Sequence, residues 1–293
     1  MKNISFLLFI ISLYSCGQQD FGKMEIITSL PDEFAEISGI EMIPNNESLW
    51  LISDSGSDAT VMSYDLKEKK MAQQFTIKNA QNVDWEDLAS DKRGNLYIGD
   101  FGNNASKRKD LTIYKINDIA NLASQDTATQ KITFKLSDQT DYPPKKKDRN
   151  YDIEAFFNKG ENLYLFTRNR SKDFDGTTKV YKLPATPGDY TAQLIDTFKT
   201  CNDDDDCQVT SATINHQTGD IILLSYNKLW VLSNYKGDNF FSGKVTEIKL
   251  DHKSQKESVT FKDKTHIYIA DERNGPQGGN LYLLDISKEL KLK

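Results

Sequence analysis

The sequence predicts an all-β chain folded as a β-propeller of five four-stranded blades, with six blades as the alternative. Two observations carry that expectation. Five segments repeat one pattern, in which two short runs of β-branched and aromatic residues flank a tight polar turn. One further strand, Met24-EIITSL, stands ahead of the first repeat, while the last repeat lacks a fourth strand. A propeller closed by its termini uses that leftover strand to complete the last blade.

The repeats run in order. Ser38-GIEMI precedes SLWLISD, and Glu86-DLASD precedes NLYIGD. Glu154-AFFN then precedes NLYLFTR, Ser211-ATIN precedes DIILLS, and Glu257-SVTF precedes HIYIAD. The joining turns PNNE, KRG, KGE, HQTG and KDK are hairpin connections. A third strand follows each pair (TVMSYDL, LTIYKI, TKVYKL, KLWVLS, GNLYLLDI), and a fourth follows in all but the last (QQFTI, KITFKL, AQLIDTF, VTEIKL). Second strands open at Ser48, Asn95, Asn162, Asp220 and His266. The shorter intervals are close to the usual blade length of about 40–50 residues, and the longer ones carry loop insertions. A sixth, degenerate blade would fall in 117–150 or 184–209. Only 117–124 has any helical character. The stripe Tyr97, Tyr164 and Tyr268 at one strand position reads as packing between blades.

Composition bounds the rest. The chain has 293 residues, a net charge of −6 and 11% aromatic residues, with a mean hydropathy of −0.60 and a pI near 5.3. No basic block exceeds the three lysines at 145–147, so nucleic-acid binding is not expected. Fifteen Phe and thirteen Tyr require a packed interior.

Residues 1–16 read as a lipoprotein signal peptide. Lys2 supplies the positive start, Ile4 to Tyr14 an apolar stretch too short to span a bilayer, and Leu13-Tyr14-Ser15-Cys16-Gly17 resembles a lipobox. Cys16 is then the lipidated residue, 17–23 a tether and 24–293 a single propeller domain. The expected location is the bacterial cell envelope, the outer membrane before the inner, with a monomeric body outside the cytoplasm. In that compartment Cys201 and Cys207 are expected to pair. They close a loop holding Asp203 to Asp206, read as a stapled acidic loop in preference to a calcium site.

Strand direction places the candidate site. The starts of first strands, the ends of second strands and the long loops 53–60, 100–110, 168–178 and 271–279 share one face, joined by the inter-blade loops 78–85, 137–152, 199–209 and 251–256. Glu86, Glu154 and Glu257 occupy equivalent positions at the channel mouth, with Asp84 and Asp152 two residues upstream of the first two. Asp54, Asp100 and Asp271 end second strands, and Glu272 follows. Equivalent slots elsewhere hold Ser38, Ser211, Ser225 and Arg168. Carboxylates so gathered raise one another's pKa or bind a hard cation through oxygen; the other reading is that they cap strand starts. Glu86, Glu154 and Glu257 are the candidate metal ligands, with calcium as the cofactor. Arg168, Arg170 and Arg273 on this face either hold an anion or neutralise the acids. His216, His252 and His266 are scattered, so no zinc site is expected, and the GxSxG of a nucleophile elbow is absent from the sequence.

Two blades carry a resemblance. EISGIEMIPNNESLWLISDSG and KESVTFKDKTHIYIADERN resemble blades of the SdiA-regulated and phytase-like propeller superfamily, which open on a Ser-Gly or Glu-Gly/Ala pair and end the second strand in an acid-bearing stretch. Likeness to phytases implies calcium-dependent phosphomonoester hydrolysis over an acidic channel mouth, a role that falls on Glu86, Glu154, Glu257, Asp100 and Asp271. Likeness to SdiA-regulated proteins implies an envelope protein. The leading expectation is an envelope lipoprotein binding a small ligand or envelope protein at its acidic face with a divalent cation. A calcium-dependent phosphoesterase or lactonase comes second, and a non-catalytic docking scaffold third.

Overall fold

The computed structural model describes residues 20–290 apart from 45 and 123–125; the signal segment and Cys16 lie outside the described residues. Strand β1 (Glu25–Ser29) is followed by β2 (Ile37–Met42), β3 (Ser48–Ser53), β4 (Thr60–Asp65) and β5 (Lys70–Ile77), an antiparallel run of four. A second run comprises β6 (Trp85–Ser90), β7 (Leu96–Asp100), β8 (Leu111–Ile116) and, after the two-residue β9 (Asp126–Thr127), β10 (Gln130–Leu136). The third is β11 (Asp152–Lys159), β12 (Asn162–Arg168), β13 (Thr177–Pro184) and β14 (Gly188–Lys199). The fourth is β15 (Ser211–Ile214), β16 (Ile221–Leu224), β17 (Lys228–Ser233) and β18 (Lys244–Lys249). Last come β19 (Lys256–Phe261), β20 (His266–Asp271) and β21 (Asn280–Asp285), whose free edge is taken by β1. The chain is thus closed by pairing its first described strand with its last, as expected.

The innermost strands β2, β6, β11, β15 and β19 contact one another in a ring around one axis. That is the architecture of a β-propeller. Side chains tie the ring where backbones cannot pair. The Ile40 amide donates to Ser258 Oγ (2.6 Å) and the Val259 amide to Ser211 Oγ (3.2 Å). The amides of Phe156 and Ala212 both donate to Asp87 Oδ2 (3.2 and 3.4 Å).

The second strands of the units, such as β3, β12, β16 and β20, are apolar at most positions because each face serves a different core. Among the described residues the buried apolar side chains form five clusters, each drawn from two neighbouring four-stranded units. On β12, Leu163 and Leu165 enter the cluster shared with the second unit, while Tyr164 and Phe166 enter the one shared with the fourth. On β3, Trp50 and Ile52 face one neighbour and Leu49 and Leu51 the other. Side chains alternate across a strand, so a sheet buried on both faces loses the polar alternation of a half-exposed one.

Segments 117–150 and 184–209 supply the outer strands β10 and β14 and the loops around them. These two strands pair in parallel, Ile132 opposite Gly188 through Leu136 opposite Ala192, and fuse two units into one eight-stranded sheet. Of the helical character expected at 117–124, the described residues, 117–122, show a single 3-10 turn at Ile119–Asn121, whose buried Ile119 packs into the neighbouring core.

Residues 20–23, the described part of the segment expected to be a tether, lie against the body. The Phe21 ring sits 5.5 Å from both His252 and Tyr282, and the Lys23 amide donates to Leu250 O (2.9 Å). Gly22, at φ +64°, lets the chain pass so near Leu250 O that a Cβ would overlap it.

Candidate functional site

Four of the five innermost strands carry the same irregularity. The ladders skip one residue between Ile37 and Gly39, Trp85 and Asp87, Ile153 and Ala155, and Lys256 and Ser258. The skipped residues are Ser38, Glu86, Glu154 and Glu257. A β-bulge leaves its extra residue out of the pairing and re-aims the side chain. All four line one cavity of about 310 Å3 at the channel mouth, together with Ile37, Asp54, Asn104, Arg168, Arg170, Tyr226, Gln255 and Glu272. The ladder of β15 starts at Ser211 without a bulge, so Thr210 precedes it and turns its hydroxyl to Lys256 O (2.7 Å).

On one side of this cavity Asp54, Asp84 and Glu86 converge, with one carboxylate oxygen from each lying within 4.8 Å of the others. Local chemistry positions them. Asn82 holds the turn, its amide donating to Ser53 O and Asp54 O (both 2.9 Å) and its Oδ1 accepting from the Trp85 amide (3.1 Å). The Asp84 amide donates to Asp100 Oδ1 (3.2 Å) and the Gly102 amide to Asp84 O (3.2 Å). Gly102 is required here: a Cβ at this position would overlap Glu86 Oε1 and stand 2.5 Å from Asp84 Cγ.

Burial raises the pKa of all three acids, and repulsion from neighbouring carboxylates raises it further. Asp84 is pushed up to about 6 by burial and then by Asp54. Asp54 is raised by burial, and Glu86 well above its ordinary range by burial, then by Glu154 and Asp54. Arg108 does not bond to them; its guanidinium is committed to Asp100 (3.0 Å), Asp110 (3.1 Å) and Gly102 O (3.0 Å).

The other side is neutralised from within. Arg170 donates to Asp152 Oδ2 (2.7 Å) and Glu154 Oε1 (2.8 Å). Arg168 reaches Gln208 (2.7 Å), Glu154 Oε2 (3.5 Å) and the Tyr226 hydroxyl (2.8 Å), which itself donates to Glu257 Oε1 (3.0 Å). Burial alone would raise the Glu154 pKa, but Arg168 and Arg170 outweigh it and hold the carboxyl below its ordinary value. Glu257, with Arg168 at 3.9 Å, is pushed up to about 8 by burial. Glu272 rises to about 9 through burial and a hydrogen bond with Glu36, and the Gln255 amide donates to it.

The expected trio Glu86, Glu154 and Glu257 is therefore divided. Arg168 stands between the last two, and Glu86 groups with Asp54 and Asp84. Asp152 lies beneath, accepting from the Asn103 amide (2.6 Å) and Arg170. Asp100 is closed off by Arg108. Asp271 turns into the blade, accepting from the Asn280 amide and the Tyr282 hydroxyl (both 2.8 Å). Arg273 pairs with Asp32 and Leu30 O. Cys201 and Cys207 form the expected disulfide, Cα–Cα 5.4 Å, and Lys253 neutralises Asp205 and Asp206 in its loop (3.3 and 3.4 Å).

Tyr226, Gln255 and Asn104 line the cavity without having been singled out in the sequence, because loop residues there follow no repeat. Lys256 was also passed over. It is wholly buried beside the mouth, its ammonium donating to Tyr226 O (3.0 Å), His252 O (2.7 Å) and Ser254 Oγ (2.9 Å), and burial lowers its pKa to about 8.

The family described as phytase-like, esterase-like activity of phytase, matches residues 32–275. The chain belongs to this phytase-like family. No curated protein sequence matches it. Among solved structures, this phytase-like chain is similar to one in the crystal structure of a nidogen/laminin complex. That match has 10% identity and a TM-score of 0.50, and covers 88% of this chain and 80% of that one. The PQQ-bound aldose sugar dehydrogenase from Streptomyces coelicolor matches at 9% identity and TM-score 0.49, with 90% and 98% covered. The β-propeller domain of Cps50 (Swd1) from Myceliophteria thermophila matches at 9% and 0.45, with 89% and 98% covered. At such identities the likeness is one of fold.

Proposed function

We propose that the channel mouth binds a hard divalent cation at Asp54, Asp84 and Glu86, and through it a small anionic ligand. The observation that carries this reading is the convergence of three carboxylates with no ion pair to a basic side chain among the described residues, Arg108 acting on Asp84 without bonding to it. The donors are all oxygen, which suits calcium rather than zinc. Their raised pKa values show that ionising them together is costly in the bare site, and a cation would relieve that cost. Across the cavity Arg168 and Arg170, though paired with Asp152, Glu154 and Glu257, supply N–H donors toward an anion. The body is proposed to sit in the cell envelope, tethered by lipid on Cys16; among the described residues no helix is long and apolar enough to cross a membrane.

A second reading, hydrolysis of a phosphoester or lactone, is favoured by the family description. A bound hard cation supplies polarisation of a ligand oxygen.

The test is a thermal melt of the chain in EDTA and in calcium, beside elemental analysis of the purified protein. A calcium-dependent rise in Tm that Glu86→Gln abolishes supports the site. No shift and no bound metal would refute it. Turnover of p-nitrophenyl phosphate or a simple lactone, lost in Glu86→Gln, would favour the hydrolase over the binder.

A further inference from the structure

We propose that Ser38 is the anion-positioning residue of the channel mouth, its hydroxyl donating to an oxygen of an oxyanion held there; this rests on the cation-binding reading above. The four bulges aim four side chains into one cavity, and three have evident partners. Glu86 joins Asp54 and Asp84. Glu154 is held by Arg168 and Arg170, and Glu257 by Tyr226 and Arg168. Ser38 has none: its side chain lines the cavity, the residue is 4% exposed, and its Oγ lacks a hydrogen-bond partner among the described residues.

A buried hydroxyl left unmatched is destabilising. Here Asp54, Glu86, Glu257 and Glu272 all line the same cavity, yet none accepts its proton. No hydrogen bond joins the hydroxyl to any of them, so an acceptor oxygen entering the cavity would give it a partner. Charge decides which kind. Once a cation occupies the three carboxylates, the remaining requirement is for donors facing an anion. Arg168 donates one N–H from each of its three nitrogens, to Gln208, Glu154 and Tyr226, and Arg170 donates from Nε and Nη2 to Asp152 and Glu154; of five N–H groups each, the second ones on their Nη atoms remain for an anion. The Ser38 hydroxyl and the Asn104 amide add uncharged donors to the lining. A serine also leaves open the part of the ring where a glutamate, as in three other blades, would project its charge into the anion.

The test measures binding of inorganic phosphate to the purified chain by calorimetry, with and without calcium, in wild type, Ser38→Ala and Ser38→Thr. Ser38→Ala is expected to weaken phosphate about tenfold or more, as for a lost hydrogen bond to a charged group. Its calcium midpoint and Tm should stay at or above wild type, and Ser38→Thr, which keeps the hydroxyl, should restore phosphate binding. Unchanged phosphate affinity in Ser38→Ala overturns the assignment. So does a loss accompanied by an equal loss of calcium binding or a fall in Tm, which would mark a packing role. A wild type that binds calcium but not phosphate overturns it while leaving the cation reading intact. A wild type that binds no calcium refutes the cation reading, and phosphate titrated in EDTA then decides Ser38 alone: a loss confined to Ser38→Ala supports the assignment, and anything else overturns it.

Discussion

Replacing Glu41 by Gln should change how the stability of this propeller depends on pH. Glu41 lies on β2 at the end of the channel away from the acidic mouth, 6% exposed, beside a cavity of about 190 Å3. Ser90 Oγ donates to one of its oxygens (2.6 Å) and Thr260 Oγ1 to the other (2.9 Å). Burial nevertheless dominates and lifts its pKa from 4.5 to about 7. The folded state therefore holds this proton to a higher pH than the unfolded chain does. The stabilisation is fully present below pH 4.5 and is lost as pH rises through 7. Over that interval, at about 1.36 kcal/mol per pH unit, the loss is about 3 kcal/mol.

Glutamine preserves the volume and, with one hydroxyl turned to accept from its amide, both hydrogen bonds. It cannot ionise. Glu41→Gln should thus match wild type near pH 4.5 and exceed it by about 3 kcal/mol at pH 8, or about 6–12 °C in Tm. The assay is urea unfolding of both proteins across pH 4.5–8. His216 lines the same cavity and burial lowers its pKa, so it titrates in the opposite sense. It does so in both proteins and cancels in the difference, as do the acids at the mouth. A stability difference that stays constant with pH would refute the reasoning.

Two further outcomes follow from the geometry. Gly102→Ala should leave the fold intact, because the Cβ meets movable carboxylate ends, yet displace Glu86 and Asp84 and weaken calcium binding about tenfold, about 1.4 kcal/mol; unchanged affinity in a calorimetric titration would show that the trio is not the site. Replacing both Cys201 and Cys207 by Ser should lower stability by about 2 kcal/mol, the chain-entropy value for so short a loop, measured by urea unfolding against wild type; no loss would mean that Lys253 and the Ser225 hydroxyl suffice to hold the loop.

Much of the architecture was legible because strand formation and hairpin turns are local. The runs SLWLIS and NLYLFT announce strands buried on both faces, and the polar turns between runs announce reversals. The unpaired strand at 24–30 and the missing fourth strand after Ile286 implied closure, which β1 and β21 perform. The equivalence of Ser38, Glu86, Glu154 and Glu257 was also visible as a repeat, but not its cause. A bulge arises from the register between two strands, and no single run of residues displays it. The tether shows the same limit. GQQDFGK looks solvated from its composition, but Phe21 finds a ring on either side, one from a loop and one from β21, far along the chain.

The sequence by itself determined the strands, their order, the covalent loop at 201–207 and the face on which acids gather, since each depends on residues near one another in the chain. Only the tertiary structure decided which acids meet. Asp54 follows the second strand of one blade, Asp84 precedes the first strand of the next, and Glu86 joins them because a bulge turns its side chain toward the axis. Arg168, at the end of β12, falls between Glu154 and Glu257 and separates two residues that the repeat makes equivalent. Charges from different blades come within a few ångströms only when the ring closes, and at those distances in a buried mouth their interaction outweighs anything local sequence records.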